Sequence, residues 1–381
     1  MTKKNSRGTH FWFKIRPYMP IKAVGPILLI LVSSLPLNAQ RTDDFSSKTI
    51  KANMLRVAKW QLANPKHDLT DWTNGAFYAG VFAAYETTGS DDLLKAMTDM
   101  GEKNGWKPGP RFDHADDLAI TQTYIDLYRL KKDRKMIQPT IDVVDRLKKG
   151  TGDEAAKHGI TWWWCDALFM GPPALAKLAK ATDDRSYLDL NDRFFQQTYD
   201  LLYDKNEDLY ARDASYLIAA DGTGKREANG KKVFWSRGNG WVLGGLVRLI
   251  KELPKDHPKR DFYLTQYKQI AARIVALQQS DGLWRSSLLD PASYPGGEAS
   301  GSGFHVYALA WGINNKILDR QKYLPVVKKA WIALNDLVQP DGRVGWTQPI
   351  GADPRRNFNA DSWEVYGAGA YLLAASEVVK L

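Results

Sequence analysis

The sequence predicts an all-α protein, an (α/α)6 barrel in which six inner helices form a ring and six outer helices cover it. After residue 40 the chain shows no long strand-like alternation, and an apolar, Ala/Gly-rich helix followed by an amphipathic one recurs instead. Helices that are apolar all round are buried, whereas amphipathic helices cover them. The run 278–284 also echoes the run 338–344 around a shared Asp-Gly pair, which indicates an internal repeat. An open α-solenoid is the alternative architecture.

Twelve helices are predicted in chain order. The amphipathic outer helices are predicted near 46–63, 91–103, 134–148, 185–203, 262–279 and 322–338. The apolar inner helices are predicted near 75–87, 116–130, 166–181, 240–251, 303–315 and 363–378. Because the inner helices of such a ring all run in the same direction, the residues at their N-terminal ends converge on one mouth.

Residues 1–39 are predicted to be a signal peptide, and residues 40–381 a single catalytic domain. Six basic side chains and no acidic one occur in this segment, an apolar run lies at 23–32, and small residues end at Ala39. The apolar run is too short for a comfortable membrane span, so no stable span is expected after cleavage. Export, to the periplasm, is therefore the expected localisation, with an uncleaved anchor as the alternative.

Composition limits the possible partners. Outside residues 1–39 the chain has 47 basic side chains against 43 acidic ones, a net charge of +4, so a nucleic-acid partner is not expected. With one cysteine, Cys165, and six histidines without ligand spacing, neither a metal nor another cofactor is expected. Fourteen tryptophans favour an aromatic-lined cleft. The oligomeric state is left open.

Chemically rich residues precede or begin every predicted inner helix. They are Trp72 and Asn74; His114, Asp116 and Asp117; Trp162, Trp163, Trp164 and Asp166; Trp235, Arg237 and Trp241; Ser302 and His305; and Asp361 with Trp363. A single Asp before a helix is usually an N-cap. Six such helix starts in register are not explained by capping, and they predict a sugar-binding mouth.

Asp166 is the predicted proton donor. It follows three tryptophans and precedes an apolar run, and poor solvation raises the pKa of a carboxyl group. The alternative is a simple N-cap. At the second helix start, one of Asp116 and Asp117 is free to cap the helix while the other points into the mouth. Cys165 lacks any partner pattern of a thiol nucleophile and is interpreted as a buried, inert thiol.

Arg237 is the predicted clamp for a uronate carboxylate. It lies four residues before Trp241, so the two side chains share a face in a helical first turn. An arginine fork beside an aromatic plate suits a carboxylate on a sugar ring. The alternative is a structural Arg–Asp pair.

Taken together, these motifs resemble glycoside hydrolase family 105, the unsaturated rhamnogalacturonyl hydrolases, and more loosely family 88. The resemblance covers nearly all of the mature chain, and its most specific part is Trp-Ser-Arg-Gly-Asn-Gly-Trp at 235–241. It also rests on the runs 72–75, 116–117, 166–170 and 300–303.

The resemblance implies a metal-free (α/α)6 barrel that hydrates a double bond. The substrate is an acidic oligosaccharide ending in a 4,5-unsaturated uronic acid; a proton goes to C4, water adds at C5, and the hemiketal opens to release the neighbouring sugar. The family's acid matches Asp166, and its second essential carboxylate matches Asp117. The residues expected to bind substrate are Trp72, Asn74, His114, Asp116, Arg212, Trp235, Arg237, Trp241, Ser302 and His305.

Arg212 marks a departure from the family pattern. Family members often carry a histidine shortly before the 235–241 run, where this chain offers Arg212. Arg212 would add a second cation at the uronate or at the aglycone. Its presence puts in doubt that the enzyme prefers rhamnogalacturonan fragments strictly. Arabinogalactan-type or ulvan-type glycans stay open as substrates, as does the glucuronyl or galacturonyl configuration.

Two other functions compete with the hydrolase. A toroidal polysaccharide lyase acting on acidic glycans would create the double bond that the hydrolase consumes, so ultraviolet absorbance would rise rather than fall. A non-catalytic glycan-binding toroid would bind sugar without turnover.

Overall fold

The architecture is that of a computed structural model, which describes residues 43–150 and 152–381. Its helices are α1 (Ser47–Ala63), α2 (Trp72–Thr88), α3 (Asp91–Lys103), α4 (Ala115–Leu118), α5 (Thr121–Lys131), α6 (Gln138–Lys149), α7 (Asp153–His158), α8 (Ala167–Thr182), α9 (Ser186–Leu202), α10 (Ser236–Ile250), α11 (Arg260–Ala276), α12 (Ala299–Asn314), α13 (Arg320–Asn335) and α14 (Val365–Val378). Two short strands, β1 (Tyr203–Asp204) and β2 (Leu209–Tyr210), pair antiparallel. The predicted signal peptide lies outside the described residues.

The inner ring is closed, which confirms the (α/α)6 barrel. Its members are α2, α5 with α4 before it, α8, α10, α12 and α14; each packs on the next, and α14 packs on α2. An open solenoid has no such closing contact. On the outside, α1 packs on α14 and α2, α3 on α2 and α5, α9 on α8, α11 on α10 and α12, and α13 on α12.

The closing contact depends on glycine. A β-carbon on Gly80 of α2 would lie 2.5 Å from the carbonyl oxygen of Gly369 on α14. Neither helix carries a polar stripe: α14 is buried along its whole length, from Val365 to Val378. Small residues therefore allow the first and last inner helices to approach closely enough to close the ring.

The predicted internal repeat is a repeated turn. Gly282 and Gly342 both have positive φ, +93° and +105°. In each turn the aspartate just before the glycine accepts a hydrogen bond from the residue just after it, at 3.1 Å for Asp281 and 3.0 Å for Asp341. A positive φ strains residues with a β-carbon, so the Asp-Gly pair is what the turn requires.

Four inner helices differ from prediction at their N-terminal ends, and the first of them begins at Trp72 rather than near 75. The second is broken into α4 and α5, so that Asp116 and Asp117 lie on a separate single turn. The fourth begins at Ser236 rather than near 240. The fifth begins at Ala299 rather than near 303, because Glu298 caps it by accepting from the backbone N–H groups of Ser300 and Gly301. Residues predicted to precede these two helices therefore lie inside them.

A cavity of about 670 Å³ opens at the end of the barrel opposite the mouth, where the inner helices have their C-termini. Its charged side chains largely pair with one another, as in Lys177 with Asp126 and Arg129 with Glu252. Helix C-termini favour cations, which accounts for the basic side chains there. The predicted site residues lie at the other end. Among the described residues no helix is long and apolar enough to cross a membrane.

Candidate active site

The mouth is organised by a backbone pairing between the segment before α8 and the segment after β2. Trp164 and Asp213 form an antiparallel bridge, and the Cys165 N–H donates to the carbonyl oxygen of Arg212 at 2.9 Å. This pairing is fixed by main-chain groups and holds Arg212 next to Asp166. The two residues come from different repeats, so local sequence patterns do not reveal that they meet.

Asp166 occupies the position before α8 but does not cap the helix with its side chain. Its residue is 8% exposed, and Oδ1 accepts a hydrogen bond from the Cys165 thiol at 3.2 Å. Burial raises the pKa of Asp166, while the positive charge of Arg212 opposes that rise. A buried carboxyl group that serves no capping role, at the open end of a barrel, is suited to hold and deliver a proton.

The structure distinguishes Asp116 from Asp117, the residue that was predicted as the second catalytic carboxylate. Burial, and then the charge of Asp166, raise the pKa of Asp116 to about 8. Asp117 instead accepts from the Arg111 backbone N–H at 2.6 Å and from the Arg111 guanidinium at 2.6 Å, which anchors the loop before α4. Consecutive residues of one helical turn point about 100° apart, so only one of the pair faces Asp166.

Arg237 is not the open clamp that was predicted. It is fully buried, and its two terminal nitrogens donate to the backbone carbonyls of Gln348 at 2.6 Å and Pro349 at 3.0 Å. Its guanidinium carbon lies 4.4 Å from the Trp235 ring centroid and 4.7 Å from that of Tyr366. The arginine therefore fixes the loop around Gln348 against α10.

Arg212 is a partly exposed cation beside Asp166. Its side chain is 19% exposed, and Nη1 donates to Asp213 at 2.8 Å. The guanidinium carbon lies 5.4 Å from the ring centroid of the partly exposed Trp163. Its charge acts directly on Asp166. The guanidinium of Arg212 is therefore a positive charge beside Asp166.

The aromatic residues form a floor and a wall. Trp241, predicted as a stacking plate, is fully buried on the barrel axis, 4.4 Å from the Phe304 ring centroid and 5.9 Å from that of Trp72. Trp72 is partly exposed and stacks on Tyr366 at 5.4 Å and 16°. Trp235 is 2% exposed and donates through Nε1 to Gln348. Among these three tryptophans, Trp72 keeps a face open to the mouth.

His114 lies beside the acid pair as a neutral ring. It accepts from the Asp116 backbone N–H at 3.3 Å and packs 4.4 Å from the Trp164 ring centroid. Burial, and then the charge of Arg111, lower the pKa of His114 to about 4. At neutral pH it therefore adds no positive charge that would ionise Asp116.

Three of the residues predicted to bind substrate make hydrogen bonds within the protein. Asn74 donates to backbone carbonyls of the preceding loop, among them that of Asp68 at 2.8 Å. Ser302 accepts from the Trp284 backbone N–H at 3.1 Å. His305 is fully buried, 3.3 Å from the Ser236 hydroxyl, and burial lowers its pKa to about 3. The early start of α12 buries the last two one turn below the mouth.

Sequence reasoning missed the residue that connects these walls, Gln348. Its backbone N–H donates to Glu298, its carbonyl accepts from Arg237 and from the Tyr366 hydroxyl, and its side-chain oxygen accepts from Trp235. A glutamine in a loop carries no recognisable signal. The capping role of Glu298 could have been found, because it stands directly before Ala299-Ser300-Gly301 at a helix start.

Residues 45–381 match the sequence profile of Glycosyl Hydrolase Family 88. The chain is 46% identical over 366 residues to an unsaturated 3S-rhamnoglycuronyl hydrolase of Formosa agariphila, covering 93% of this chain and 96% of the relative. A family 88 glycosyl hydrolase structure from Bacteroides vulgatus superposes with a TM-score of 0.81 at 32% identity, covering 88% of this chain and 100% of the other. A structure described as a polysaccharide lyase superposes with a TM-score of 0.80 at 34% identity, covering 87% and 97%.

Proposed function

The chain belongs to glycosyl hydrolase family 88 and is a glycoside hydrolase, and we propose that it removes a 4,5-unsaturated uronic acid from the non-reducing end of oligosaccharides left by a polysaccharide lyase. The observation that carries this proposal is the pair of buried carboxyl groups, Asp116 and Asp166, at one mouth with Arg212 beside them. The relative from Formosa agariphila is named an unsaturated 3S-rhamnoglycuronyl hydrolase, and we therefore propose a rhamnose as the aglycone.

The carboxyl pair has the composition that vinyl-ether hydration needs. Burial raises the pKa of both carboxyl groups, and the charge of Asp166 raises that of Asp116 further; we propose that the pair holds one proton between them at neutral pH. One member then acts as acid and the other as base. In the proposed step Asp166 carries the proton and Asp116 is ionised; Asp166 gives its proton to C4, and water attacks C5 and loses its proton to Asp116. The hemiketal formed at C5 then opens by breaking the bond between C5 and the ring oxygen. This leaves a hemiacetal at C1, which breaks down to an aldehyde and releases the neighbouring sugar.

Arg212 is proposed to bind the uronate carboxylate. Of the two arginines whose charges act on Asp166, Arg212 has the larger effect, and its ion pair with Asp213 fixes the guanidinium plane while part of the side chain stays exposed. Trp72 offers the open aromatic face against which a sugar ring packs. The neutral His114 borders the same space.

The test follows the absorbance of the double bond with lyase-generated, rhamnose-containing oligosaccharides. Wild-type enzyme is expected to make it fall, and Asp166→Asn and Asp116→Asn to slow that fall by about 10²–10⁴-fold with unchanged circular dichroism. Asp261→Asn, on the exposed face of α11, is the matched control and should retain full activity. A folded Asp166→Asn enzyme with substantial turnover would remove Asp166 from the acid role.

A lyase function is the second candidate, because a structure described as a polysaccharide lyase is 34% identical to this chain. A lyase acting on the intact acidic polysaccharide would make the same absorbance rise. A rise with intact polymer and no fall with its unsaturated fragments would overturn the hydrolase proposal.

We also propose that the protein is exported to the periplasm. The proposal is supported by the basic start, apolar run and small residues before Ala39. Cell fractionation of the full-length chain, with N-terminal sequencing of the product, tests it; a cytoplasmic product that retains residues 1–39 would contradict it.

A further inference from the structure

The thiol of Cys165 lies directly behind the proposed acid. Its Sγ is 3.2 Å from Asp166 Oδ1, and the cysteine is completely buried. The other carboxyl oxygen, Oδ2, has no hydrogen-bond partner within the described part of the chain. The two oxygens of Asp166 therefore differ: one faces a protein donor, and the other faces the mouth.

Main-chain bonds hold Cys165 in this position from both sides. Its N–H donates to the Arg212 carbonyl at 2.9 Å, and its own carbonyl accepts from the Leu168 N–H at 3.0 Å in the first turn of α8. A third element covers the sulfur, since a β-carbon on Gly238 of α10 would lie only 3.1 Å from Sγ. The sulfur thus has little freedom to turn away from the carboxyl group.

Burial, and then the charge of Asp166, raise the pKa of the Cys165 thiol well above its usual value. The group therefore stays protonated and is available as a donor at any pH at which the enzyme works. A carboxyl oxygen that already accepts a hydrogen bond is the poorer place for a proton.

We propose that Cys165 is a positioning residue for the acid: its thiol donates to Oδ1 of Asp166 and so directs the catalytic proton to Oδ2, which faces the substrate. This inference rests on the proposed function and assigns the buried cysteine a part in it. The same hydrogen bond stabilises the ionised form of Asp166 and therefore limits how far burial raises the pKa of the acid. The other charged groups that face Asp166 are Asp116 from α4, Arg212 and Asp213 from the segment after β2, and Arg237 from α10.

The first test observes the thiol itself and needs no substrate. Cys165 is the only cysteine of the 381 residues, so the S–H stretching band in a Raman or infrared spectrum belongs to it alone. Because an ionised carboxylate is the stronger acceptor, the band is expected to move to lower frequency as Asp166 ionises with rising pH. In Asp166→Asn this movement should disappear. The proposal would be overturned if the S–H frequency of the wild type did not change with pH, or if it changed equally in Asp166→Asn.

The second test separates hydrogen bonding from packing. Cys165→Ala and Cys165→Val both remove the donor, but valine keeps the volume, whereas Cys165→Ser keeps a donor. Loss of a donor to the ionised form raises the pKa of Asp166, so the alkaline limit of kcat should move up by about one unit in the alanine and valine enzymes. Their kcat should fall about tenfold with KM within about twofold, and serine should restore both the limit and the rate.

The outcomes distinguish this inference from the function on which it rests. Wild-type kcat and pH profile in a folded Cys165→Val enzyme would show that the thiol only fills space, and the hydrolase would stand. Full activity in folded Asp166→Asn would instead remove the acid, and with it any role for Cys165 in the reaction. Thermal unfolding of each variant identifies any that fail to fold, and the spectroscopic test on the wild type does not depend on them.

Discussion

Replacing Asp116 by asparagine is expected to stabilise the protein, and to do so increasingly as the pH rises. Burial and the charge of Asp166 raise the pKa of Asp116 to about 8, from 3.8 in an unperturbed carboxyl group. Between these values the folded chain holds a proton that the unfolded chain has lost. The contribution of this group to stability is therefore fully present below about pH 4 and is lost as the pH rises to about 8.

The magnitude follows from proton linkage. One extra proton on the folded state lowers the free energy of unfolding by up to about 1.4 kcal/mol per pH unit, so about 4 kcal/mol separates about pH 5 from about pH 8 at most. The carboxyl side chain is 17% exposed, and solvent screening reduces the effect. If screening halves the maximum of about 4 kcal/mol, the asparagine variant gains about 2 kcal/mol in free energy of unfolding relative to wild type over that pH range. This corresponds to about 4 °C in melting temperature.

The assay is thermal unfolding of both proteins, followed by circular dichroism at about pH 5 and about pH 8 at equal ionic strength. The melting temperature of Asp116→Asn should exceed that of wild type by a margin that grows with pH. The variant should at the same time have lost turnover. Asp117→Asn is the neighbouring control: it breaks the contacts with Arg111 and should lower the melting temperature at both pH values. A difference that stays constant or narrows for Asp116→Asn would refute the assignment of Asp116 as the buried, proton-holding member of the pair.

Four further substitutions test the assignments of individual residues. Arg212→Gln should raise KM at least about tenfold with little change in melting temperature. Arg237→Gln should mainly lower the melting temperature, because it leaves two buried carbonyls without a donor. A raised KM in Arg237→Gln together with a lowered melting temperature in Arg212→Gln would restore Arg237 as the clamp. Asn74→Ala should cost about 1–3 kcal/mol in urea unfolding without a specific loss of affinity; unchanged stability would argue against its structural role. Gly282→Ala should cost at least about 1 kcal/mol, since φ is +93° and the new β-carbon would meet the Lys329 carbonyl at 2.7 Å; an equally stable variant would show that the turn adapts.

The fold was predictable because its signal is periodic and repeated. Helices that are apolar on every side, such as those around Val365–Val378, have to be buried between neighbours, and helix pairs of similar length favour a closed array. Helix starts were less predictable. The start of α12 depends on the buried side chain of Glu298, and its shift by one turn moved Ser302 and His305 from the mouth into the core.

The site was predictable to the extent that it depended on burial rather than on direction. Asp166 was recognised because its sequence neighbours are apolar and aromatic, and these are the groups that exclude water from it. The choice between Asp116 and Asp117 depends on which way each points from a single helical turn. The contacts that occupy Arg237 could not be predicted, because its acceptor Gln348 lies 111 residues away in sequence and no local pattern indicates that the two meet.

The position of Arg212 connects recognition of the substrate to protonation of the acid. In the free enzyme its charge opposes the effect of burial on Asp166, while Asp116 keeps its proton up to about pH 8. A uronate carboxylate bound to Arg212 neutralises that charge and so removes the interaction that holds down the pKa of Asp166. The shared proton then moves towards Asp166, the carboxyl group proposed to deliver it to C4. A methyl-esterified substrate cannot neutralise Arg212, so Asp166 stays ionised when that substrate binds. The ester should therefore show a lower kcat as well as a lower affinity than the free acid.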